Sequence, residues 1–594
     1  MKDFFKQVGA TLVGIVIFFI VVGALGAMSL VGMIASSSTT TSVKDNSVFV
    51  IKLDGKLEER AEVSMIDRIK GGTAGVMGLD DLIDAIKKAK DNDDIKGIYL
   101  ECGSFAPDSY ASLQAVRRQL EDFKKSGKFI VAYGDGYDAD TYYLASLADK
   151  IYMNPQGMLD WHGMGSEMFF LKDAMAKFGL KMQVAKVGTY KSATEMYTEN
   201  KMSEANREQM TAYIGGTWKN VCDAVSKSRG ISVASLNKYA DEFISLSAPT
   251  DYVKAKFIDE LIYVDQLKDK VKALMKLGKD DDFNTVGLDA MANVKGKSES
   301  GDEIAVYYAY GDIVDEAGGG LIGGGAHQIV GNDVAKDLRD LADNEDVKAI
   351  VIRINSGGGS AYASEQMWRA VELAKAKKPV VVSMGGMAAS GGYYMGCSAN
   401  WIVAEPTTIT GSIGIFGTFF DKSELLTQKL GVHFDTVETN AHGDFGTMSR
   451  PFNEEELAML DKYITRGYAL FRKRVADGRH LSVEQVEKVA QGRVWLGQDA
   501  LKIKLVDQLG GLDAAVAKAA QLAKVKEYYA SAYPAEEGIM EQMFQQVEGS
   551  TDSYLDAKMR VALGDYYPAF SYLQTLNNNH SAIQARLPFC FKIR

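Results

Sequence analysis

The sequence predicts an α/β protein: two tandem, homologous α/β domains behind one N-terminal membrane-spanning helix. Three observations carry this. The run from Val8 to Ala35 is apolar except for Thr11 and Ser29, longer than the roughly 20 residues a helix needs to cross a bilayer. Short β-branched runs then alternate with longer helix-period segments, as parallel βαβ units require. That alternation repeats itself at an offset of about 250 residues.

Lys2 and Lys6 precede the apolar run, so the N-terminus is expected in the cytoplasm and the rest of the chain outside it. The run continues past the small residues Ala24-Leu-Gly-Ala27 and is read as an uncleaved anchor, residues 1–35, rather than a signal peptide. Residues 36–45 begin Ser36-Ser-Ser-Thr-Thr-Thr-Ser42 and form a polar linker. The first domain is expected over 46–300 and the second over 303–525. Ile95-Lys-Gly-Ile-Tyr-Leu100 matches Val347-Lys-Ala-Ile-Val-Ile352, and Lys128-Phe-Ile-Val-Ala-Tyr133 matches Lys378-Pro-Val-Val-Val-Ser383. Asp138–Tyr143 falls on Ala388–Tyr393, which sets Asp140 against Ser390. Residues 526–594, with Met540, Met543, Phe544, Tyr566, Tyr567 and Phe570, are expected to form a helical extension.

At 594 residues the chain is too long for one domain. Its net charge of −11, with no concentrated basic face, excludes nucleic acid as a partner. Cys102, Cys222, Cys397 and Cys590 form no C-x-x-C pair, and the six histidines show no H-x-x-x-H spacing. No disulfide framework, metal or cofactor is expected.

The chemistry gathers at Met384-Gly-Gly-Met-Ala-Ala-Ser-Gly-Gly-Tyr-Tyr394, which follows the buried-strand run Pro379-Val-Val-Val-Ser383. Ser390 sits between small residues at a strand-to-helix turn. That position suits a nucleophile, and equally suits a serine that only caps a helix. Asn355-Ser-Gly-Gly-Gly-Ser360 follows the strand run Ala349–Ile354, and glycines there can present backbone N–H groups to an oxyanion, Gly358 first and Gly391 second. A serine needs a base. Lys191, in Lys186-Val-Gly-Thr-Tyr-Lys-Ser192, has no acid after it until Glu195 and faces Gly443 in the repeat. One half therefore carries a serine and a glycine turn, the other a lysine, and a composite site across both halves is expected. Lysine serves as a base only when burial keeps its amine neutral. His442, beside Gly443, is the alternative base. Gly318-Gly-Gly-Leu-Ile-Gly323 fits G-x-G-x-x-G, but no helix pattern follows, so it reads as a loop. Ser235-Leu-Asn-Lys238 fits S-x-x-K without its companion motifs.

Four segments in order, Gly188-Thr-Tyr-Lys-Ser-Ala193, Asn355-Ser-Gly-Gly-Gly-Ser360, Ala388-Ala-Ser-Gly-Gly-Tyr-Tyr394 and Thr408-Ile-Thr-Gly-Ser-Ile-Gly-Ile-Phe-Gly417, resemble the signal peptide peptidase A (protease IV) family in its long two-domain form. The resemblance covers nearly all of 46–525 and the anchor. It implies a ClpP/crotonase-like fold and a serine endopeptidase with Ser390 as nucleophile and Lys191 as general base. Ser412 would hydrogen-bond the lysine and aim it at Ser390. It also implies a homotetramer on the periplasmic side of the bacterial inner membrane, acting on released signal peptides. Gly357 stands where the family has proline, which loosens the turn that presents Gly358. Two other readings are a non-enzymatic membrane scaffold of the same fold, which predicts an unreactive Ser390, and a crotonase-like acyl-CoA enzyme, which needs neither Ser390 nor Lys191.

Overall fold

The computed structural model describes residues 41–61, 75–278, 280–296, 300–317, 327–535, Met559 and 583–586. The apolar run 8–35, the Gly318–Gly323 loop and the Met- and aromatic-rich part of the extension lie outside them. Among the described residues no helix is long and apolar enough to cross a membrane.

The first half lays down β1 (Ser47–Glu58), β2 (Ile95–Pro107), β3 (Phe129–Tyr137) and β4 (Lys150–Leu159) as a parallel ladder that ends on Glu260–Leu261. Helix α1 (Ala139–Ala145) follows β3, and β5 (Lys181–Val187) leaves this sheet; helix α2 (Glu204–Arg229) comes next. The second half lays down β6 (Asp302–Tyr310), β7 (Val347–Ser356), the short β8 (Gly358–Ser360), helix α3 (Ala361–Lys375), β9 (Val380–Ala389) and helix α4 (Gly391–Gly396). After these come β10 (Ile409–Gly411), β11 (Ile415–Asp421), helices α5 (Glu454–Arg479) and α6 (Leu512–Ala523), and strands β12 (Tyr528–Tyr533) and β13 (Ile583–Arg586).

The order β6–β7–β9, then Trp401–Ala404 and Gln508–Leu509, is parallel throughout and repeats the order β1–β2–β3–β4–(Glu260–Leu261). The duplication expected from the sequence is therefore present in the sheets. These strands read as continuous apolar runs because both faces are covered. Along β9 every residue but Met387 is buried. Helix α6 packs Ala515, Val516 and Ala519 on one face, against Val351 and Val381. The other face buries Ile350, Ile352 and Val382 against Met367 and Val371 of α3.

Among the described residues of the extension two segments are strands: β12 adds to β6, and β13 enters a third, mixed sheet. That sheet joins the halves. It runs Gln328–Val330, Asp312–Val314, β8, β13, β11, β5, so β5 of the first half pairs antiparallel with β11 of the second from Ile415↔Val187 to Asp421↔Lys181. This pairing sets the Lys191 loop beside the second half's strand ends.

Candidate active site

Ser390 follows the last residue of β9 and precedes α4. Its backbone holds φ 55° and ψ −114°, a conformation that costs a non-glycine residue about 1–3 kcal/mol. Two backbone bonds fix it: Ser390 N donates to Gly411 O at 2.8 Å, and Tyr394 N donates to Ser390 O at 2.8 Å. Its hydroxyl makes no cap bond to α4, so the helix-capping alternative falls. At the matching turn of the first half the cap is Asp138, whose carboxylate accepts from Thr141 N. By cap position, then, Ser390 matches Asp138 rather than Asp140, and the first half has no serine there.

The glycines on either side let other backbone come close. A Cβ on Gly392 would lie 2.8 Å from Ser356 O, and one on Gly391 2.6 Å from Ser364 Oγ. Before the serine, β7 and β9 slip register between Ile354↔Met384 and Ser356↔Ala388. At that bulge Asn355 Oδ1 accepts from Met387 N. A Cβ on Gly385 would meet Glu59 Oε2 at 2.9 Å and one on Gly386 would meet Ser109 Oγ at 2.5 Å. The glycine pair thus makes room for the first half.

Lys191 comes from the loop after β5. Gly188, at φ +113°, packs on Gln491, and Tyr190 N donates to Gln491 O. Gly492 and Gly414 lie against the lysine stem: a Cβ on either would be 2.7 Å from Lys191 Cβ or 3.3 Å from its Cδ. The amine reaches the second half. Lys191 Nζ is 2.8 Å from Ser390 Oγ, 2.9 Å from Ser412 Oγ and 3.3 Å from Ser412 O. The Phe416 ring centroid is 5.7 Å away. Lys191, Ser390 and Ser412 are each fully buried. Burial alone holds the Lys191 pKa well below the ordinary lysine value. The nearest acid in sequence, Glu195, points elsewhere: it accepts from Ser203 N and Oγ and from Asn206 Nδ2. A neutral amine at this distance can take the hydroxyl proton.

Gly358, at φ +98°, opens β8. A Cβ there would be 2.7 Å from Gly391 N, so the two glycines named from the sequence are neighbours. Gly358 N donates to Ser356 Oγ at 3.1 Å, and Ser356 Oγ donates to Gly311 O at 2.6 Å. Asn355 and Ser356 thus pin the turn despite Gly357. His442 does not reach the serine; its Nδ1 lies 3.9 Å from Glu456 Oε1. Lys238, of the S-x-x-K match, is an exposed residue paired with Glu242.

The family model for Peptidase family S49 matches residues 122–278 and 372–526, one stretch in each half, and the Clp protease model matches 306–402. The chain belongs to peptidase family S49. It is a serine peptidase of the ClpP-like α/β fold, with the S49 region duplicated. Protease 4 of Salmonella typhi is 38% identical over 81% of this chain and 78% of its own length. Protease 4 of Haemophilus influenzae is 34% identical over 84% and 83%. The chloroplastic serine protease SPPA of Arabidopsis thaliana is 32% identical over 81% and 70%.

Sequence reasoning missed three parts of this S49 site. Phe416 and Gly492 gave no signal of their own. The Glu59–Arg353 pair, with Arg353 Nε donating to Glu59 Oε1 at 2.6 Å, joins residues 294 positions apart. Asn355 Nδ2 also donates to Glu59 Oε2 at 3.1 Å, so this pair braces the strand that enters the glycine turn.

Proposed function

We propose that this serine peptidase is a membrane-anchored endopeptidase that hydrolyses apolar peptides, cleaved signal peptides among them, with Ser390 as nucleophile and Lys191 as general base. The observation that carries the reading is Lys191 Nζ, buried away from any acid, 2.8 Å from Ser390 Oγ. Lys191 takes the Ser390 proton as Oγ attacks the peptide carbonyl. The N–H groups of Gly358 and Gly391 receive the oxyanion, Ser356 Oγ giving up the Gly358 N–H as it forms. Protonated Lys191 then donates to the leaving amine, and water hydrolyses the acyl-enzyme by the same route in reverse. Ser412 positions the amine by its two contacts.

The chain is read as an anchor at 1–35, a linker at 36–45, a base-bearing unit at 46–300, a nucleophile-bearing unit at 303–525 and an extension at 526–594. The anchor places the catalytic halves on the periplasmic side of a bacterial inner membrane. Leu430, Phe434, Val437 and Phe445 are exposed on one arm, which supports burial against further copies in a homotetramer.

Fluorophosphonate labelling of the full chain tests the dyad. Labelling of the parent that disappears in Ser390→Ala and in Lys191→Ala is expected. Labelling that survives Lys191→Ala moves the base elsewhere, and an unlabelled, folded parent sinks the reading.

A further inference from the structure

The Lys191 loop is braced from behind by a helix of its own half. Helix α2 carries Asn206, Gln209, Tyr213, Gly216 and Asn220, and their spacing of three and four residues lines one face. That face lies on the second half. Tyr213 joins a buried cluster with Ala389, Ile409, Val494 and Leu496. A Cβ on Gly216 would be 2.3 Å from Leu496 Cδ1, and Asn220 Nδ2 donates to Gln498 Oε1 at 3.2 Å. At the start of the face stand two fully buried amides, Asn206 and Gln209.

Gln209 is bonded at both ends of its amide. Nε2 donates towards Tyr190 O at 3.2 Å and Ser192 Oγ at 3.0 Å, on the residues either side of Lys191, and towards Asn206 Oδ1 at 3.2 Å. Oε1 accepts from Val494 N at 3.2 Å. Val494 is the antiparallel partner of Gly411 in β10, and Gly411 O is the acceptor that fixes Ser390 N. One side chain therefore runs from the backbone around the amine to the strand pair that holds the serine. A backbone N–H needs an acceptor and a carbonyl needs a donor, so a neutral amide of this length satisfies both ends. Asn206 keeps the nearby acid turned away: its Oδ1 accepts from Ser192 Oγ at 3.0 Å, and its Nδ2 donates to Glu195 Oε2 at 3.0 Å.

We infer that Gln209 is a positioning residue of the peptidase reaction: its amide sets where Lys191 stands relative to Ser390. The inference rests on the Ser390–Lys191 reading. Gln209 bonds to neither reacting side chain and acts through the backbone on both sides. The lysine and the serine come from different halves, so their 2.8 Å separation depends on how the Lys191 loop is tied to the second half. Loss of the amide frees Tyr190 O and Ser192 Oγ from Val494 N together. The amine then leaves its line to Ser390 Oγ, while the peptide-binding strands are untouched. Proton transfer should suffer and substrate binding should not.

The test uses the full chain in detergent, reading kcat and KM on a fluorogenic peptide, the rate of fluorophosphonate labelling, and Tm. Gln209→Met keeps the length and loses both ends of the bond. Its kcat and labelling rate are expected to fall on the order of 100-fold, the cost of about 1 Å at reacting atoms, with KM within about threefold of the parent. Gln209→Glu keeps the acceptor for Val494 N and puts a negative charge beside the loop. It should show a similar fall near neutral pH, and its kcat/KM limb should move to higher pH, because the charge favours the protonated amine. Asn220→Ala is the control: it cuts a bond across the same face about 16 Å further along the helix, and should lower Tm yet keep both rates. A folded Gln209→Met or Gln209→Glu protein that labels within about threefold of the parent overturns the inference and leaves the peptidase reading standing. So does a loss of rate in Asn220→Ala equal to that in Gln209→Met. A folded parent that neither labels nor hydrolyses, or labelling that survives Lys191→Ala, removes the dyad and this role with it.

Discussion

Replacing Gly358 by alanine tests how tightly the site is built around the acyl carbonyl. Ala585 O, in β13, is the carbonyl oxygen that packs against Gly358 in this fold. The new Cβ would sit 2.1 Å from it, where unstrained carbon contacts need about 3.5 Å. Carbonyl or side chain must shift by about 1.4 Å, and a misplacement near 1 Å at reacting atoms costs on the order of 100-fold, or about 2.7 kcal/mol in the barrier. The expected result is a fall of about 100-fold in kcat/KM on a fluorogenic peptide. Fluorophosphonate labelling should fall in parallel, because the phosphonyl oxygen needs the same space. The φ of +98° adds about 1–2 kcal/mol of backbone strain, read separately as a lower Tm. Gly127→Ala is the control, since Gly127 has φ +81° with nothing within 4 Å of its Cβ position: it should lose stability and keep activity. A folded Gly358→Ala protein within about threefold of the parent in both rates would refute the assignment of Gly358 to the oxyanion.

The buried amine makes two pH predictions. Because burial lowers the Lys191 pKa in the fold, kcat/KM should climb as pH rises through that lowered pKa, a limb that Lys191→Ala abolishes along with the activity. The unfolded chain keeps the amine protonated up to about pH 10.4 and so binds more protons than the folded chain below it. Parent stability against urea should therefore rise with pH across that window; Lys191→Met should exceed the parent near neutral pH, with the gap closing above about pH 10.4, and a pH-independent gap would refute the burial argument. Ser412→Ala removes a hydrogen bond to the amine worth about 1–2 kcal/mol and should slow labelling roughly five- to thirtyfold without changing urea stability by a similar amount. Glu59→Ala leaves the Arg353 guanidinium, 4% exposed, without its acid; urea denaturation should show a loss of about 3–5 kcal/mol, and a loss under 1 kcal/mol would mean that the pair does not brace the turn.

The sequence alone determined the duplication, because strand runs buried on both faces are written locally as apolar stretches and recur in register. It also determined the glycine turn at 355–360 and the serine at 390, since tight strand-to-helix turns demand small residues whatever surrounds them. The lysine was visible through asymmetry between the halves and through the family resemblance of Gly188–Ala193, but the cause of its lowered pKa was not. Its lowered pKa arises from total burial against Gly414, Gly492 and Phe416, and desolvation belongs to the packed site rather than to the residues flanking Lys191. The match of Ser390 to Asp140 slipped by two residues because alignment counts positions, while helix caps fix the turn. The strand at the end of the extension was not legible for a related reason. Ile583–Arg586 becomes a strand only where the open edges of β8 and β11 accept it. Local sequence holds no record of an edge formed more than 160 residues away, so only the tertiary structure could place that segment against Gly358 and Gly391.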